Sequence, residues 1–310
     1  MELPDREYLK VDRKGAARQT LRRRHEPMSY PPSHTRQAAT PNMFSHYLTP
    51  SQAEIARYWE LADAQVRHPL ARPLKASPAA TMPMLRLRET GALEQVAARW
   101  GLIPLWWKEQ KPPTDAFIAP SEEAAARPIW KIPASKWRCL VPAIGWYECK
   151  VVERFNPATG EITMAEQPFF IRLPDREPFA FAGLMSQRTV EGNQPGFTFT
   201  ILTRDAIGPA AQIHTRVPIV LPKNAHAAWL YRELTDAAVA IEFAREQAVT
   251  EFVCHPVDVR IDNARNEAAE LNQLLAPGVL HPAGNTNVAV TAISTSNSSE
   301  FAHRTAAKVG

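Results

Sequence analysis

One stretch of the sequence, RCLVPAIGWYECK, could provide a proton-transferring carboxyl group. An apolar strand from Cys139 to Pro142 is followed by a turn at Gly145, and Glu148 comes directly after Trp146 and Tyr147. A carboxylate among aromatic rings has its charged form disfavoured, which suits general acid or base catalysis. The same pattern is compatible with a glutamate at the rim of a sheet in an ordinary salt bridge. Glu148 is therefore a candidate catalytic residue with a structural alternative.

A second stretch, QIHTRVPIVLP, could supply a proton shuttle and a cation. His214 and Arg216 come just before the strand-like VPIVL, so both would be held at the start of a rigid element. Histidine titrates near neutral pH and is the commonest proton shuttle in enzymes. A single histidine also often has a purely structural role, and the pattern leaves both roles open.

Two further regions could contact a nucleic acid. In ARWGLIPLWWKEQ, Trp100, Trp106 and Trp107 surround a Gly-Leu-Ile-Pro turn. Most tryptophans belong to a core or an interface, but two adjacent ones cannot face the same way on a strand. One of Trp106 and Trp107 could therefore be an exposed platform for a stacked base. The polar stretch VDVRIDNARNEAAEL could contact phosphate, although turn formation and capping explain it equally well.

The elements that would position these residues are mainly strands. Segments rich in β-branched and aromatic residues recur between turn residues, as in QPFFIRL, PFAFAGLM, GFTFTILT and VPIVLP. Helices are expected near Ser51–Ala64 and Lys223–Tyr231, and strands do not alternate regularly with helices. We therefore predict an α+β fold: a single domain, residues 43–276, of mainly antiparallel strands with a few flanking helices. Residues 1–42 are expected to be a basic, disordered extension and residues 277–310 a flexible C-terminal tail.

The charge of the chain is concentrated at one end. The net charge is +4, and residues 1–42 hold nine Lys or Arg and five acidic residues, so the rest of the chain is formally neutral. The stretch RKGAARQTLRRRHE could touch nucleic-acid phosphates, but such a tail is more often a solvated arm. A basic surface on the folded part would have to come from the arrangement of its charges.

Cysteine usage and hydropathy indicate the cellular compartment. The three cysteines, Cys139, Cys149 and Cys254, include no CxxC pair, which argues against a zinc site or a disulfide framework and for reduced thiols. The sequence has no apolar run of about eighteen residues and no apolar segment typical of a secretory signal. We therefore expect a cytoplasmic protein with no membrane partner and no metal site.

Taken together, the sequences of these stretches and their order along the chain resemble those of the SRAP family. Its members are the abasic-site processing proteins, also called SOS response-associated peptidases. The matching stretches are MFSHY, ARWGLIPLWWK, RCLVPAIGWYE, PFAFAGL, FTILT, IHTRVPIVLP and VDVRIDNARNEAAEL. They occur in family order from Met43 to about Leu275. The resemblance implies the SRAP fold and a role in the DNA damage (SOS) response.

The resemblance also implies a covalent chemistry at the start of the domain. Family members begin with Met-Cys and lose the methionine. The α-amine of the cysteine then condenses with the ring-opened aldehyde of an abasic site in single-stranded DNA, and the thiol closes a stable thiazolidine. By this resemblance, Glu148 matches the catalytic glutamate and His214 the histidine that transfers protons. The positions assigned to DNA binding are Ser45, His46, Pro78, Trp106, Trp107 and Arg216.

The sequence departs from the family pattern at the reacting residue. MFSHY aligns with Met-Cys-Ser-His-Tyr, so Phe44 occupies the nucleophile position and cannot form a thiazolidine. In TDAFIAPSEEAAARP, Ile118 replaces a family asparagine that helps to hold the cross-linking centre. Pro120 replaces an arginine that helps to bind the DNA backbone, while Ser121 and Glu122 fit the pattern. A guanidinium replaced by proline is no conservative change.

These departures predict a divergent SRAP-like protein that binds single-stranded or abasic-site DNA with covalent capture lost or much weakened. If processing freed the α-amine of Phe44, a reversible Schiff base and lyase-type strand cleavage would become possible, supported by Glu148 and His214. The resemblance implies no cofactor, and we expect a monomer that is nucleoid-associated when bound to DNA. The alternative is a thiol peptidase that uses Cys149 and His214, or a protein-interaction module on the same fold.

Overall fold

The computed structural model describes Phe44 and residues 46–69, 75–109, 116–155, 159–189 and 195–257. The predicted N-terminal extension and C-terminal tail lie outside the described residues. So do Ser45 and all of VDVRIDNARNEAAEL after its first valine.

Within the described residues the chain forms thirteen strands and five α-helices. The strands are β1 (His46–Leu48), β2 (Lys75–Ala76), β3 (Thr81–Leu87), β4 (Leu93–Trp100), β5 (Ile118–Pro120), β6 (Arg138–Ala143), β7 (Gly145–Phe155), β8 (Ile162–Arg172), β9 (Phe179–Thr189), β10 (Pro195–Asp205), β11 (Arg216–Pro218), β12 (Val220–Leu221) and β13 (Val253–Pro256). The helices are α1 (Gln52–Trp59), α2 (Ser121–Ala124), α3 (Pro128–Lys136), α4 (His226–Leu230) and α5 (Ala237–Glu246).

The strands form two sheets. The first has the order β13-β8-β7-β1-β2, and its pairs are antiparallel. The second has the order β11-β10-β4-β3-β6-β9-β12, with β5 also beside β10. Because β9 pairs with β10 as well as with β6, five strands of this sheet close on themselves. Strand β10 runs parallel to β4 and β5, and the remaining pairs are antiparallel. The predicted α+β fold of mainly antiparallel strands is confirmed.

The first predicted helix is shorter than expected. Helix α1 begins after Ser51, whose side chain accepts from the backbone N–H of Glu54 while the Glu54 carboxylate accepts from the Ser51 N–H, a capping box. The helix ends at Glu60, which has a left-handed φ of 55°. The predicted remainder, as far as Ala64, is extended backbone followed by a 3₁₀ turn over Asp63–Gln65.

The remaining helices agree less well with the sequence-based predictions. The helix predicted near Lys223–Tyr231 is a 3₁₀ turn over Lys223–Ala225 followed by the short α4. Helices α3 and α5 were not predicted. Helix α3 starts with Pro128 and contains Pro133, a residue that normally argues against a helix interior, while α5 is capped by the Asp236 carboxylate. Among the described residues, no helix is long and apolar enough to span a bilayer.

Three apolar clusters are buried among the described residues, and the two larger ones hold the sheets and helices together. One joins the inner faces of the two sheets and is rich in aromatic rings; it includes Tyr47 and Trp146 from the first sheet and Trp100, Phe181 and Phe199 from the second. We call it the aromatic core. The other lies where the helices pack on the second sheet and includes Ile55, Trp130, Leu140, Trp229 and Ile241. The aromatic core is the cluster that reaches the candidate site.

Candidate active site around Phe44 and Glu148

The carboxyl group of Glu148 is buried and contacts the backbone of Phe44. The side chain is 1% exposed, and Oε2 accepts a hydrogen bond from the Phe44 N–H at 3.3 Å. Oε1 has no hydrogen-bond partner among the described residues. Burial raises the pKa of Glu148 to about 8, and the Phe44 N–H opposes this rise because it favours the carboxylate. At neutral pH the group is therefore mostly a protonated acid.

The position of Glu148 in strand β7 explains its burial. Side chains alternate along a strand, so Glu148 points to the same face as Trp146, whose ring packs on Phe179 and Phe181 in the aromatic core. Strand β7 is covered on one side by β8, where Phe169 lies opposite Glu148. The rim glutamate with a salt bridge, which the sequence left open, is excluded for the described residues.

Phe44 fills the centre of this site with an aromatic ring. Its side chain is 1% exposed, and its ring centroid lies 5.5 Å from that of Trp100, 5.4 Å from Phe181 and 6.4 Å from Tyr47. The backbone has a φ of 23°, a value that residues other than glycine rarely adopt and that costs about 1–3 kcal/mol. The surrounding aromatic rings supply the packing that holds this conformation.

Two polar groups are buried on residues that neighbour this site: the hydroxyl of Tyr47, whose ring stacks with that of Phe44, and the indole N–H of Trp146, which shares a face of β7 with Glu148. Neither has a hydrogen-bond partner among the described residues, and burial raises the pKa of Tyr47 well above its usual value. Buried polar groups are normally paired. These donors, together with Glu148 Oε1, could therefore bind polar atoms of a ligand.

His214 lies in a turn that follows a 3₁₀ segment and leads into β11. Its Nδ1 is 3.1 Å from the backbone nitrogen of Arg216 and 3.2 Å from the backbone oxygen of the same residue. Nδ1 can accept from the N–H in one tautomer and donate to the carbonyl in the other. Since the Arg216 backbone occupies Nδ1, Nε2 is the ring nitrogen that could face a substrate.

The side chain of Arg216 is held in a charged network. Its guanidinium makes a bidentate ion pair with Glu122 at 3.1 and 2.9 Å and a second ion pair with Asp205 at 2.8 Å. It also donates to the backbone oxygen and the hydroxyl of Thr203. The guanidinium holds the pKa of Glu122 below its usual value, against the opposing effect of burial. The residues that anchor the His214 turn are thus Glu122 and Asp205, which the sequence analysis did not identify as site residues.

Trp106 and Trp107, the two tryptophans predicted to bind DNA, lie in the turn after strand β4. Trp106 is 47% exposed and Trp107 is half-buried. Their ring centroids are 5.8 Å apart and their planes are nearly perpendicular, at 86°. The turn is closed by a hydrogen bond from the Trp107 N–H to the Pro104 carbonyl at 3.1 Å. Trp106 therefore presents an aromatic ring to solvent on an ordered turn.

The loop that contains Pro78 is tied to the end of β4, the strand that precedes this turn. The Ala79 N–H donates to the Trp100 carbonyl at 2.8 Å, and the Trp100 N–H donates to the Ala80 carbonyl at 2.9 Å. The Trp100 indole N–H in turn donates to the Phe117 carbonyl at 2.7 Å. Trp100 is thus the structural link between the Pro78 loop, the tryptophan turn and Phe44.

His46 stands at the start of β1, opposite Tyr147 of β7, and is half-buried. Strand β1 thereby brings His46 next to Phe44 and Glu148. Ser45 lies outside the described residues.

A family model matches most of this region. The model for SOS response associated peptidase (SRAP) matches residues 44–264. The chain belongs to the SRAP family. Because the match starts at Phe44, the buried aromatic ring occupies the first matched position of the SRAP domain.

Several curated proteins are similar to this SRAP chain. Abasic site processing protein YoqW of Bacillus subtilis is 31% identical over 174 residues, covering 56% of this chain and 73% of YoqW. Abasic site processing protein YedK of Escherichia coli is 32% identical over 181 residues, covering 56% of this chain and 72% of YedK. Abasic site processing protein HMCES of mouse is 25% identical over 214 residues, covering 60% of this chain and 57% of HMCES.

Solved structures support the fold. A protein from Bordetella bronchiseptica superposes with a TM-score of 0.54 at 19% identity, covering 69% of this chain and 100% of its own. A phage-related protein from the same organism has a TM-score of 0.51 at 26% identity, covering 69% of this chain and 93% of its own.

The two further positions at which the sequence analysis predicts departures from the SRAP pattern both lie on β5. Ile118 is buried in the aromatic core and lies opposite Ile201 of β10. Pro120 lies opposite Thr203 and directly precedes α2, the helix that carries Glu122. Neither side chain offers a hydrogen-bonding group, so strand β5 contributes packing here and no polar side-chain contact.

Two of the three thiols, those of Cys139 and Cys254, are poorly suited to nucleophilic chemistry. Cys139 is fully buried in β6, and burial raises its pKa well above the usual value. Burial also raises the pKa of Cys254 to about 11. Both groups are therefore protonated at neutral pH, and the thiolate is the reactive form. Cys149 is partly exposed and lies on β7, opposite Pro168.

Proposed function

We propose that this chain binds single-stranded DNA at abasic sites in the DNA damage (SOS) response, without forming a stable thiazolidine cross-link. The first half of the proposal is supported by SRAP membership and by the names of YoqW, YedK and HMCES as abasic site processing proteins. The observation that carries the second half is the buried phenyl ring of Phe44 at the nucleophile position. The chain retains the scaffold and lacks the thiol.

In this proposal the DNA-binding surface is built around Trp106. An exposed indole on an ordered turn suits base stacking, which contributes about 1–3 kcal/mol per base and tolerates any sequence. Pro78 lies at the same end of the β3–β4 pair, and we assign it to the same surface. His46 and Ser45, next to Phe44, are assigned to the strand near the lesion. Binding to chromosomal DNA would make the protein nucleoid-associated.

In the proposal, Arg216 has a different role from the DNA-binding role that the sequence analysis assigned to it. Its terminal nitrogens already contact Glu122, Asp205 and Thr203. Freeing them for a phosphate would break two ion pairs. We therefore propose that Arg216 mainly supports His214, whose Nδ1 contacts the Arg216 backbone.

The remaining chemistry depends on the bond before Phe44. While the upstream chain is attached, the Phe44 nitrogen is an amide and cannot add to an aldehyde. If that bond were cleaved, the α-amine would lie beside Glu148 and could add to the aldehyde carbon to give a carbinolamine. Protonation of its hydroxyl by the Glu148 carboxyl and loss of water would give an imine. With no thiol to close the ring, water would hydrolyse this imine again.

His214 is our candidate base for a subsequent strand cleavage. An imine at the abasic carbon acidifies the hydrogen on the neighbouring carbon. Removal of that proton by Nε2 would expel the 3′ phosphate and leave an unsaturated imine. This lyase-type step needs the free amine and does not occur on the uncleaved chain.

The proposal is tested by native-gel binding to single-stranded DNA with one abasic site, using the full chain at increasing salt. Affinity should fall as salt rises, because phosphate contacts release counterions. Trp106→Ala should weaken binding about 5- to 150-fold, the range expected for one lost stacking contact. Leu105→Ala is the matched control, because Leu105 is a similarly exposed apolar neighbour at 52%. A DNA affinity that changes neither with salt concentration nor in Trp106→Ala would overturn the proposal.

A further inference from the structure

The β7–β8 hairpin extends well beyond the sheet to which it belongs. Strand β1 pairs with β7 at Gly145, Trp146 and Tyr147. Strand β13 pairs with β8 over residues 169–172. The two long strands nevertheless stay paired with each other as far as Phe155 and Ile162. Among the described residues, residues 151–155 and 162–166 therefore form a two-stranded ribbon with no third strand beside it.

One face of this ribbon is apolar and exposed. Cross-strand partners share a face of a sheet, and the register pairs residue 151 with 166, 153 with 164 and 155 with 162. The apolar members of this face are between 45% and 64% exposed. We call this surface the ribbon face; its residues are Val151, Glu153, Phe155, Ile162, Met164 and Glu166.

A surface of this kind needs a covering partner. A two-stranded hairpin is marginally stable in water without further packing. Soluble proteins rarely expose large contiguous apolar patches, and those that occur often mark interaction sites. None of the three apolar clusters among the described residues includes a residue of the ribbon face; the third consists of Leu48, Tyr147, Phe170 and Val257, nearer the base of the hairpin. The face is therefore suited to binding another molecule.

The charges on the ribbon face select the class of partner. Glu153 and Glu166 are both exposed, and the described residues of the face include no lysine or arginine. Carboxylates repel DNA phosphates and anionic lipid headgroups. A second copy packed on the same face would bring four carboxylates together. The complementary partner is a protein segment with apolar and basic side chains.

The edge of the ribbon indicates how such a segment would bind. On the β8 side, the Gln167 amide donates to the carbonyl of Val257, the residue that directly follows β13, so the described chain accompanies this edge as far as residue 167. On the β7 side, β1 turns away beyond His46 because Phe44 folds into the aromatic core. Over residues 151–155 the outer edge of β7 has no described strand beside it, and the same holds for the edge of β8 over residues 162–166. On the ribbon face, β7 is the strand that carries a carboxylate between two apolar residues. Exposed strand edges readily accept an added strand.

We propose that the outer edge of β7 accepts an extended segment of another protein with the pattern apolar-x-basic-x-apolar. Along β7 the ribbon face reads Val151, Glu153, Phe155, so an added strand would place its apolar side chains beside Val151 and Phe155. Its lysine or arginine would lie beside Glu153. The pattern is symmetrical, and either strand direction satisfies it. This surface is separate from the residues proposed to bind DNA.

The test uses the full chain, labelled for NMR, and a capped Val-Thr-Lys-Thr-Val peptide as the probe, with Val-Thr-Glu-Thr-Val as the control peptide. The lysine peptide should shift the backbone amides of residues 151–155, and the glutamate peptide should bind about tenfold more weakly, as expected when a cross-strand charge pair changes from opposite to like. Glu153→Lys should reverse this preference. Phe155→Ser should weaken both peptides, whereas Val152→Thr, on the opposite face, should leave both unchanged.

Because Glu153 is exposed, the Glu153→Lys variant should fold like the wild type. A reversed peptide preference is moreover a gain of binding that an unfolded ribbon cannot give. Three results would overturn the proposal. These are the absence of amide shifts in the ribbon, an unchanged peptide preference in Glu153→Lys, and a doubled molecular mass that Phe155→Ser abolishes. The last result would assign the face to a second copy. Glu153→Lys and Phe155→Ser should both leave DNA binding unchanged. The proposal for the ribbon and the proposal for DNA binding can therefore be refuted separately.

Discussion

Replacing Glu148 with glutamine should change how the stability of the protein depends on pH. Burial raises the pKa of Glu148 to about 8, against the opposing Phe44 N–H, from a usual value of 4.5. Between these two values the folded protein holds a proton that the unfolded chain has released. The contribution of this proton to stability is therefore fully present below about pH 4.5 and is lost as the pH rises to about 8. Glu148→Gln is uncharged throughout and lacks this dependence.

The size of the effect follows from the two pKa values. Each pKa unit corresponds to about 1.36 kcal/mol, so a rise from 4.5 to about 8 corresponds to a loss of about 5 kcal/mol across the whole window. Glutamine has nearly the same shape and keeps an oxygen that can accept from the Phe44 N–H. The two proteins should therefore be similar in stability near pH 4, and the variant should be more stable by up to about 5 kcal/mol near pH 9. That is a large part of the stability of a typical domain.

The assay is urea unfolding followed by tryptophan fluorescence at several pH values. Subtracting the free energies of unfolding of the two proteins removes the titrations that they share. Glu123→Gln is the matched control, because Glu123 is exposed and makes a surface ion pair with Arg127 that contributes little. A stability difference between wild type and Glu148→Gln that stays constant from pH 4.5 to 8 would refute the conclusion that burial raises the pKa of the Glu148 carboxyl group.

Two further substitutions test the packing that surrounds the site. In Gly145→Ala, the new Cβ would overlap the ring of Phe170, so the urea midpoint should fall by the equivalent of about 1–3 kcal/mol; an unchanged midpoint would contradict the close approach. Burial lowers the pKa of His226 to about 4, so its neutral form is the folded form, and the wild type should lose about 3 kcal/mol as the pH falls from about 6.5 to 4. His226→Gln should lack this loss. If the urea midpoints of the two proteins changed with pH in the same way between pH 6.5 and 4, the lowered pKa of His226 would be refuted.

The sequence predicted the features that depend on local pattern. The strand segments QPFFIRL, PFAFAGLM and GFTFTILT lie within β8, β9 and β10 or extend one residue beyond them, because alternation and β-branched residues are strong local signals. The α+β class followed from these strands. Glu148 was identified as a candidate because Trp146 and Tyr147 precede it in an apolar strand, and the structure buries it for the same reason.

The features that the sequence could not predict depend on long-range contacts. Phe44 and Glu148 are 104 residues apart, and their hydrogen bond exists because β1 pairs with β7. Arg216 and Glu122 are 94 residues apart, and their ion pair depends on β10 lying between β11 and β5. No local pattern encodes either pairing. Helix α5 is a different case, since Asp236 followed by an alanine-rich amphipathic run is a recognisable start signal.

The measurement that tests the central claim most directly is covalent capture of single-stranded DNA with one abasic site, read on a denaturing gel. It compares a chain that begins at Phe44 with the same chain carrying Phe44→Cys, each with and without borohydride. The account predicts that the phenylalanine chain gives no band without borohydride, and that the cysteine variant gives one without any reductant. A reductant-independent band from the phenylalanine chain would show stable capture by another nucleophile and would contradict the account.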